Sequence, residues 1–403
     1  MDFNWYVDHR LVHEFHTSGR KSFRGCRQRW DWIFRDGLYP KVTEKPLDFG
    51  TAYHAALEAY YDPDSWQFPR EVQLEYAIKV FKDKTNAQRK LAKGADQYRD
   101  PDEIDKDFDE RIVLGIGMLR HLVKSIAPQE DQTWQPLKVE VEFMVPIPHP
   151  VTNEPLWCKC DGCWAKHLAH GDRTLGESRE GWKGLPVVYA GRIDCVGIDN
   201  HGDIWIIDWK TAARIPDNHS FLILDDQIVS YCWALWSIGM NVRGFIYHEQ
   251  KKGFPVPPKR NQNVRLGRMY SIAANQDTDY ATYKATVEKE DPKAYALGLY
   301  DTMLNMLKTE GMVFYYRAQE HKTETALLEM QKNLGNEVLD MLADDLRIYP
   351  NPSRFGCDRC AFAIPCTEKQ QGGDYQYALD TMYEKKTPYY LREESSTDKK
   401  SAM

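Results

Sequence analysis

The pattern of hydrophobic and polar positions divides the chain into a strand-rich middle and helical flanks. From residue 136 the segment PLKVEVEFMVPIP alternates apolar and polar side chains, which predicts a β-strand. The segment PVVYAGRIDCVGIDNHGDIWIIDWKTA contains two more strand-like runs, separated by a hairpin turn at Asp199–Gly202. An amphipathic helix is predicted at residues 225–239, and the short strand FIYHEQ follows it. Helical periodicity predicts further helices at residues 22–38, 47–61, 70–127 (with a break near Tyr98 to Pro101), 277–310 and 320–345.

This order of elements predicts a mixed α/β core that carries helical additions. Residues 156–185 are rich in Cys, Gly, Trp and His, and we expect them to form an irregular insertion. Residues 251–268 form a Pro-rich basic loop, and the charged segment after about residue 372 is expected to be a loose tail.

Composition and charge narrow the functional classes. The 403 residues are 42% hydrophobic, enough for a sizeable core, and the formal net charge is -7. This acidic balance argues against a protein that coats nucleic acid, and it fits an enzyme with a local basic path and an acidic metal centre. No stretch approaches the about 20 apolar residues that span a bilayer, and the N-terminal MDFNWYVDHR lacks the apolar core of a signal peptide. We therefore expect a cytoplasmic protein with no membrane partner, in which thiols stay reduced and clustered cysteines indicate metal binding.

The nine cysteines fall into a middle cluster, a C-terminal cluster and three isolated positions: Cys158, Cys160 and Cys163; Cys357, Cys360 and Cys366; and Cys26, Cys195 and Cys232. The middle cluster fits either a second, structural zinc site completed by His167 or His170, or an irregular β-hairpin without metal. Cys195 and Cys232 fall in a predicted strand and a predicted helix, where we expect core thiols.

Candidate chemistry lies on the second strand of the hairpin, IWIIDWKTA. Asp208 and Lys210 are two residues apart and share one face, whereas Trp205, Ile207 and Trp209 share the other. The hairpin can bring Asp194 of the preceding strand opposite Asp208. Two carboxylates and a lysine at one strand edge suit a divalent ion and a phosphate group. The alternative is an ordinary salt bridge at the end of a strand.

Two helices offer further polar groups. Gln227 and Tyr231 are four residues apart on the helix after the hairpin and share a face, from which they can donate to a phosphate or hold the lysine. His54 and Glu58 have the same spacing on the earlier helix, and His54 can supply a nitrogen ligand to a metal. The alternatives are a half-buried helix face and a histidine satisfied within a packed helix.

These residues resemble the PD-(D/E)XK nuclease superfamily, and within it the RecB-like branch of iron–sulfur exonucleases related to CRISPR-associated and phage nucleases. The resemblance covers roughly residues 22–366 and depends on four weak motifs that occur in the family's order: G-T-x-x-H at Gly50 to His54, G-x-x-D at Gly191 to Asp194, D-x-K at Asp208 to Lys210, and Q-x-x-x-Y at Gln227 to Tyr231.

The resemblance implies a restriction-endonuclease-like mixed β-sheet core flanked by helices, and it implies roles for the motif residues. His54, Asp194, Asp208 and the backbone carbonyl of Trp209 would bind Mg²⁺ or Mn²⁺, and Lys210 would be the catalytic lysine. Gln227 and Tyr231 would orient the substrate and the lysine. The arginines and lysines of PVPPKRNQNVRLGR would grip a DNA backbone, unless this segment is only a solvated loop.

The C-terminal cysteines form a second family signature together with Cys26. Four thiolates from Cys26, Cys357, Cys360 and Cys366 can hold either a 4Fe–4S cluster or a zinc ion, and their spacing does not separate the two. The resemblance favours the 4Fe–4S cluster, which would join the two ends of the chain into one subdomain.

These assignments divide the chain into six segments. Residues 1–46 form the N-terminal helical part of the iron–sulfur subdomain, residues 47–135 a helical region with the His motif, and residues 136–250 the nuclease core with its Cys-rich insertion at 156–185. Residues 251–345 form the basic loop and a helical region, residues 346–371 the C-terminal cysteine cluster, and residues 372–403 a flexible tail.

The function implied is a metal-dependent exonuclease that acts on single-stranded DNA or DNA ends in phage-type recombination, repair or replication, with phage or host recombination proteins as partners. The alternatives are a non-catalytic DNA-binding or assembly subunit with the same fold, and a zinc-stapled structural protein.

Overall fold

The computed structural model describes residues 9–41, 49–95, 100–171, 179–262, 267–311 and 313–387. Its strands are β1 (His13–Phe15), β2 (Leu38–Pro40), β3 (Trp134–Pro146), β4 (Trp157–Cys158), β5 (Leu185–Asp199), β6 (Ile204–Ala212), β7 (Val242–Lys251), β8 (Tyr315–His321) and β9 (Tyr383–Lys385).

The α-helices are α1 (Thr17–Gly25), α2 (Arg27–Trp30), α3 (Phe49–Tyr60), α4 (Arg70–Ala95), α5 (Pro101–His121), α6 (Ala127–Glu130), α7 (Asp161–His170), α8 (Asp226–Ser237), α9 (Tyr280–Glu290), α10 (Pro292–Ala296), α11 (Asp301–Glu310), α12 (Glu324–Leu342), α13 (Arg354–Cys357), α14 (Ala363–Gln371) and α15 (Tyr375–Met382). Short 3₁₀ turns span His9–Leu11 and Ser220–Leu224, and π-helical turns span Asp31–Arg35 and Leu122–Ile126. None of the helices in the described ranges is both long enough and apolar enough to cross a bilayer.

A mixed sheet is built around the long strand β5. Along one edge β5 pairs antiparallel with β3; along the other it pairs parallel with β1 at Val187 to Tyr189 and antiparallel with β6 at Cys195 to Ile198. The sheet continues through β7, parallel to β6, and ends at β8, antiparallel to β7. Residues 190–194 of β5 therefore have no strand partner on the second edge among the described pairings. The opening between β1 and β6 lies where the chain reaches Asp194.

Helices cover both faces of this sheet. One hydrophobic core lies between the sheet and helices α8 and α12, and it includes Ile204 and Ile206 of β6. The opposite core lies against α3, α4 and α5 and includes Trp205, Ile207 and Trp209. The two sets alternate along β6, because successive side chains of a strand point to opposite faces. The apolar residues of IWIIDWKTA are thus divided between two cores, as expected for a strand that is buried on both sides.

Several elements differ from the sequence-based expectation. The insertion at residues 156–185 is not wholly irregular, because α7 occupies Asp161–His170 within it. The predicted helix at 22–38 is interrupted at Cys26, whose φ of -165° and ψ of 110° are extended. The loose tail predicted after residue 372 instead contains α15 and β9, and β9 pairs antiparallel with β2. Residues 388–403 of the predicted tail and residues 263–266 of the basic loop lie outside the described residues.

Candidate functional site

The hairpin of β5 and β6 brings the two aspartates together. The pairing of Cys195 with Ile207 is the last one toward the open end of the hairpin, so Asp194 and Asp208 are the next residues on each strand. The backbone N–H of Trp209 donates to Asp194 Oδ2 at 3.0 Å, which replaces a strand-to-strand backbone bond with a side-chain contact. The sequence prediction that the hairpin juxtaposes the two acids therefore agrees with the geometry of the strands.

The backbone is irregular beside Asp194, both in β5 itself and in the neighbouring strand β3. Ile193 and Val196 of β5 contribute to the α8-side core, whereas Cys195 contributes to the opposite core, so strict alternation is broken next to Asp194. Across the pair, Glu140 of β3 has a φ of 50°, in the left-handed region that non-glycine residues rarely adopt. Its carboxylate pairs with Arg192 at 2.7 Å. The irregularity turns Asp194 toward the opening in the sheet.

Asp208 and Lys210 form a close ion pair. Lys210 Nζ lies 2.7 Å from each carboxylate oxygen, and it donates a well-directed hydrogen bond only to Oδ1. Burial raises the pKa of Asp208 to about 6, with a contribution from the charge of Asp194 that Lys210 opposes. Burial by itself would lower the pKa of Lys210, but Asp208 and Asp194 together raise it above its usual value.

Helix α3 supplies His54. The helix packs Tyr53, Ala56 and Leu57 into the core, and the Tyr53 hydroxyl donates to Gln250 Oε1 of β7 at 2.6 Å. This anchors the turn that presents His54, whose Nδ1 lies 3.6 Å from Asp194 Oδ2. Burial alone would raise the pKa of Asp194, but the contact with His54 lowers it below its usual value. The same contact raises the pKa of His54, against the opposing effect of burial.

These groups fit a divalent metal ion. Two carboxylates and an imidazole are a common ligand set for Mn²⁺ and accept Mg²⁺ through their oxygens. Asp208 Oδ2 is fully buried and accepts no hydrogen bond of good geometry within the described structure, so a lone pair remains for a ligand bond. Among the described residues, the ligand atoms of His54, Asp194 and Asp208 do not form a group as compact as the one at His13, in which all ligand atoms lie within 4.8 Å of one another. The three side chains are near each other but would have to move closer to coordinate one ion.

Helix α8, which packs on the opposite face of the sheet from α3, carries the two remaining motif residues on one of its own faces. The side-chain carboxylate of Asp225 caps the helix by accepting from the N–H of Ile228 at 3.1 Å. Gln227 Nε2 donates to the Tyr231 hydroxyl at 3.4 Å. Tyr231 is nearly buried, and burial raises its pKa, with a further contribution from the charge of Asp208. The Tyr231 ring packs edge-on against Phe143 of β3, with centroids 5.3 Å apart, so this part of α8 lies against the middle of the sheet.

A structural feature that the motifs did not reveal is Arg20 of α1. Its guanidinium is fully buried and pairs with Asp226 at 2.9 Å and with Glu337 of α12 at 2.7 Å. Asp226 immediately precedes Gln227, so Arg20 fixes the first turn of α8. No sequence signal marks this contact, because its partners lie about half the chain and more away.

A cleft of about 710 Å³ opens beside the paired acids. His54, Asp194 and Lys210 line it, and its basic residues are Lys84, Arg192, Lys210 and Lys252. Of the cations in the predicted basic loop, Lys252 reaches this cleft, whereas Arg260 pairs with Glu290. The cleft therefore combines candidate metal ligands with basic and further acidic side chains.

The structure gathers the terminal cysteines in one region. Cys26 Sγ accepts from the N–H of Asn351, and Cys357 Sγ accepts from the N–H of Ser353, at 3.5 and 3.4 Å. Burial raises the pKa of Cys366, and Cys26, Cys360 and Cys357 contribute in that order. Within the described residues these four thiols do not meet the 4.8 Å spacing of a compact single-ion site.

The middle cysteines do meet that spacing, with a histidine other than the expected one. The ring of His167 packs against Trp164 and Trp182, with centroids 5.3 and 5.4 Å apart. The imidazole beside the cysteines belongs to His13 of β1. The expectation that His167 or His170 completes this cluster is therefore wrong.

Comparison with known proteins agrees with the motif order. The sequence model of one family, described as the PD-(D/E)XK nuclease superfamily, matches residues 17–367. No curated protein sequence matches the chain significantly. The matched region contains the four motifs, α3, the complete β3–β8 part of the sheet and both cysteine clusters.

Proposed function

Because the chain belongs to the PD-(D/E)XK nuclease superfamily, we propose that it is a metal-dependent deoxyribonuclease of the RecB-like branch. It hydrolyses phosphodiester bonds as an exonuclease, in single-stranded DNA or at DNA ends. Its biological role is the processing of DNA in phage-type recombination, repair or replication, where recombination proteins are its partners.

The observation that carries this proposal is the convergence of Asp194, Asp208 and Lys210 beside His54. The β5–β6 hairpin and α3 bring these polar groups to one opening in an otherwise apolar sheet, and α8 packs on the other face of the sheet, where the charge of Asp208 still raises the pKa of Tyr231. Burying two carboxylates and an ammonium there is unfavourable unless the groups are paired or used. The cleft at this opening has a volume of about 710 Å³ and is lined by His54, Asp194 and Lys210.

His54, Asp194, Asp208 and the carbonyl oxygen of Trp209 would hold the ion. When bound, Mg²⁺ or Mn²⁺ lowers the pKa of a water and neutralises charge on a phosphate. Asp208 presents a buried oxygen to this position, and the Trp209 N–H holds Asp194 Oδ2 in place. The protein thus preorganises its oxygen ligands before the ion arrives.

Lys210 would stabilise the transition state. Its ammonium stays charged at neutral pH because the adjacent acids raise its pKa, and from its position beside Asp208 it would offer this charge to a phosphate bound at the metal. Tyr231 and Gln227, which hydrogen-bond each other, would orient the phosphate and limit the motion of the lysine.

The basic residues of the cleft would bind the DNA backbone. Lys84, Arg192 and Lys252 come from α4, β5 and the segment after β7, so they surround the acids from three directions. Such contacts carry no base readout, because phosphate oxygens are the same along any strand. A nuclease that binds in this way requires little sequence specificity.

Cleavage by matched variants tests the proposal. Asp208→Asn and Lys210→Met should each lower the Mn²⁺- or Mg²⁺-dependent cleavage rate by about 100-fold or more, because a ligand charge or the phosphate-facing cation is lost. Asp217→Asn is the control, since Asp217 is exposed and pairs with Arg214 on the surface, at 3.1 Å. Full activity of both site variants would refute the assignment.

DNA topology distinguishes an exonuclease from the alternatives. End-labelled linear DNA should be degraded progressively, and closed circular single strands should survive because they lack an end. Cutting of circles would show endonuclease action instead. Tight binding without cleavage across several divalent ions would identify a non-catalytic DNA-binding subunit.

We also propose a 4Fe–4S cluster for Cys26, Cys357, Cys360 and Cys366. Support comes from the chemistry of four thiols, which can hold such a cluster, and from the effect of Cys26, Cys360 and Cys357 on the pKa of Cys366. The cluster would join the end of α1 to α13 and α14.

A further inference from the structure

A second group of metal-binding side chains lies outside the candidate nuclease site. One ligand atom from each of His13, Cys158, Cys160 and Cys163 lies within 4.8 Å of all the others, and three of the four side chains are buried. His13 Nδ1 is 3.2 Å from Cys163 Sγ and 3.9 Å from Cys160 Sγ. Disulfides do not explain the group, because each of these cysteines is a free thiol.

Three segments distant in sequence form this group by pairing around the start of β5. β1 pairs parallel with β5, with His13 opposite Val187, and β4 pairs antiparallel with β5, with Cys158 opposite Leu185. Cys160 is the residue that caps α7, where its Sγ accepts from the N–H of Cys163 at 3.5 Å. The backbone, rather than flexible side chains, therefore sets the positions of the four ligands.

Neighbouring contacts hold the ligands in these positions. The His13 ring stacks on Phe15 with centroids 4.9 Å apart, which restricts rotation of the imidazole. The buried Lys166 of α7 donates to the carbonyl oxygen of Val12 at 3.1 Å and so ties the helix to β1. The backbone just before His13 is thus joined directly to the helix that contains Cys163.

We propose that His13, Cys158, Cys160 and Cys163 bind one structural Zn²⁺ ion in a tetrahedral S₃N site. Three soft thiolates and one imidazole form a ligand set that selects zinc over Mg²⁺ or Ca²⁺, which bind oxygen. A tetrahedral zinc with Zn–S bonds of about 2.3 Å separates its sulfurs by about 3.8 Å, and the four ligand atoms, which all lie within 4.8 Å of one another, need only a small contraction to reach that spacing. Four protein ligands leave no open position, so the ion has a structural role.

The position of this site gives it a consequence for the rest of the protein. Helix α1 lies between His13 and Cys26, so it has a zinc ligand before its first residue and a proposed cluster ligand after its last. The same helix carries Thr17, whose hydroxyl lies 2.6 Å from the Tyr189 hydroxyl, and Arg20, which pairs with Asp226 of α8. Zinc would therefore fix the helix that supports α8.

Metal content of purified variants tests the site independently of nuclease activity. Wild-type protein expressed with zinc should contain one zinc equivalent that His13→Ala loses, as measured by elemental analysis. His13→Cys should keep that equivalent, because a fourth thiolate can replace the imidazole. His167→Ala is the matched control: it removes the neighbouring histidine that does not face the cysteines, so zinc should stay bound.

Two further measurements, cobalt absorption spectra and hydrogen exchange, distinguish loss of the metal site from misfolding of the variant. Cobalt substituted into wild-type protein and His13→Cys should show thiolate-to-metal charge transfer and tetrahedral d–d bands, and His13→Ala should lack them. Hydrogen exchange in residues 13–25 should be at least about tenfold faster in His13→Ala than in His167→Ala, since the staple on α1 is lost. Equal zinc in His13→Ala and wild type, or a wild type without zinc at this site, would overturn the proposal.

Discussion

Asp208 is 3% exposed, lies next to a second carboxylate and forms an ion pair with Lys210. At this scale the D-x-K spacing was enough to predict which side chains share a strand face, because a period of two is a property of every strand. It could not predict that Asp194 is turned by the irregular backbone opposite Glu140, since nothing in either residue marks a positive φ. The identity of the acids was predictable, and their exact orientation was not.

The pKa values of the ligands predict a metal affinity that falls with pH in two steps. An ion must displace any proton on its ligands. The pKa of His54 is raised above its ordinary 6.5, so below that raised value affinity should fall about tenfold per pH unit. The pKa of Asp208 is about 6, so below pH 6 a second proton competes and the fall steepens to about a hundredfold per unit.

Titration calorimetry with Mn²⁺ between pH 5 and pH 8 measures this dependence. His54→Ala should bind more weakly at pH 8 and show only the lower step. A wild-type affinity that does not change between pH 5 and pH 8 would show that neither group is a ligand.

The elements around the site depend on contacts that join distant parts of the sequence. The hairpin of β5 and β6, the break before Pro101 and helix α8 are local patterns, and the sequence predicted all three. Strand β1 has only three residues, and the sequence of β8, YYRAQEH, lacks a regular alternation of apolar and polar residues, so neither gives a local strand signal. For the same reason the sequence suggested His167, four residues from Cys163, whereas the structure selected His13, 150 residues away.

Arg20 is the contact that joins α1, α8 and α12. Arg20→Ala should lower the free energy of unfolding by about 3–5 kcal/mol, because Asp226 and Glu337 would remain partly buried without this cation. Arg24 pairs with the same two acids but is 44% exposed, so Arg24→Ala should cost no more than about 1 kcal/mol.

Urea denaturation of the two variants provides the comparison. If Arg20→Ala proved as stable as Arg24→Ala, the buried guanidinium would not be what fixes the start of α8. Cleavage by Arg20→Ala should also fall, since Gln227 follows directly after Asp226 on that helix.

On the scale of the whole molecule, one mixed sheet with helices on both faces supports three separate clusters of candidate metal ligands. Residues from the two ends of the chain meet twice: β2 pairs with β9, and Cys26 approaches the C-terminal cysteines. A small core formed by Trp32, Phe362, Leu379 and Tyr383 lies beside this cysteine region. The composition predicted an α/β protein with metal sites, but closure of the two ends is a property of the tertiary fold.

Iron content tests the closure of the two ends. Protein purified without oxygen should be brown and contain iron and sulfide, and Cys26→Ala or Cys366→Ala should abolish the colour. Cys232→Ala should keep it, because Cys232 is a core thiol of α8 away from the cluster. A colourless protein with zinc bound to these four cysteines would show that the site holds a structural zinc ion and not an iron–sulfur cluster. The nuclease assignment would not be affected.

The most direct test of the nuclease centre is the position of a bound ion. Crystals of the protein soaked in Mn²⁺ should show an anomalous peak within about 2.5 Å of a carboxylate oxygen from both Asp194 and Asp208, with His54 as a further ligand. Asp208→Asn crystals treated in the same way should lack or weaken the peak. Manganese-dependent cleavage by a protein whose ion lies elsewhere, with these two aspartates free of metal, would contradict the account.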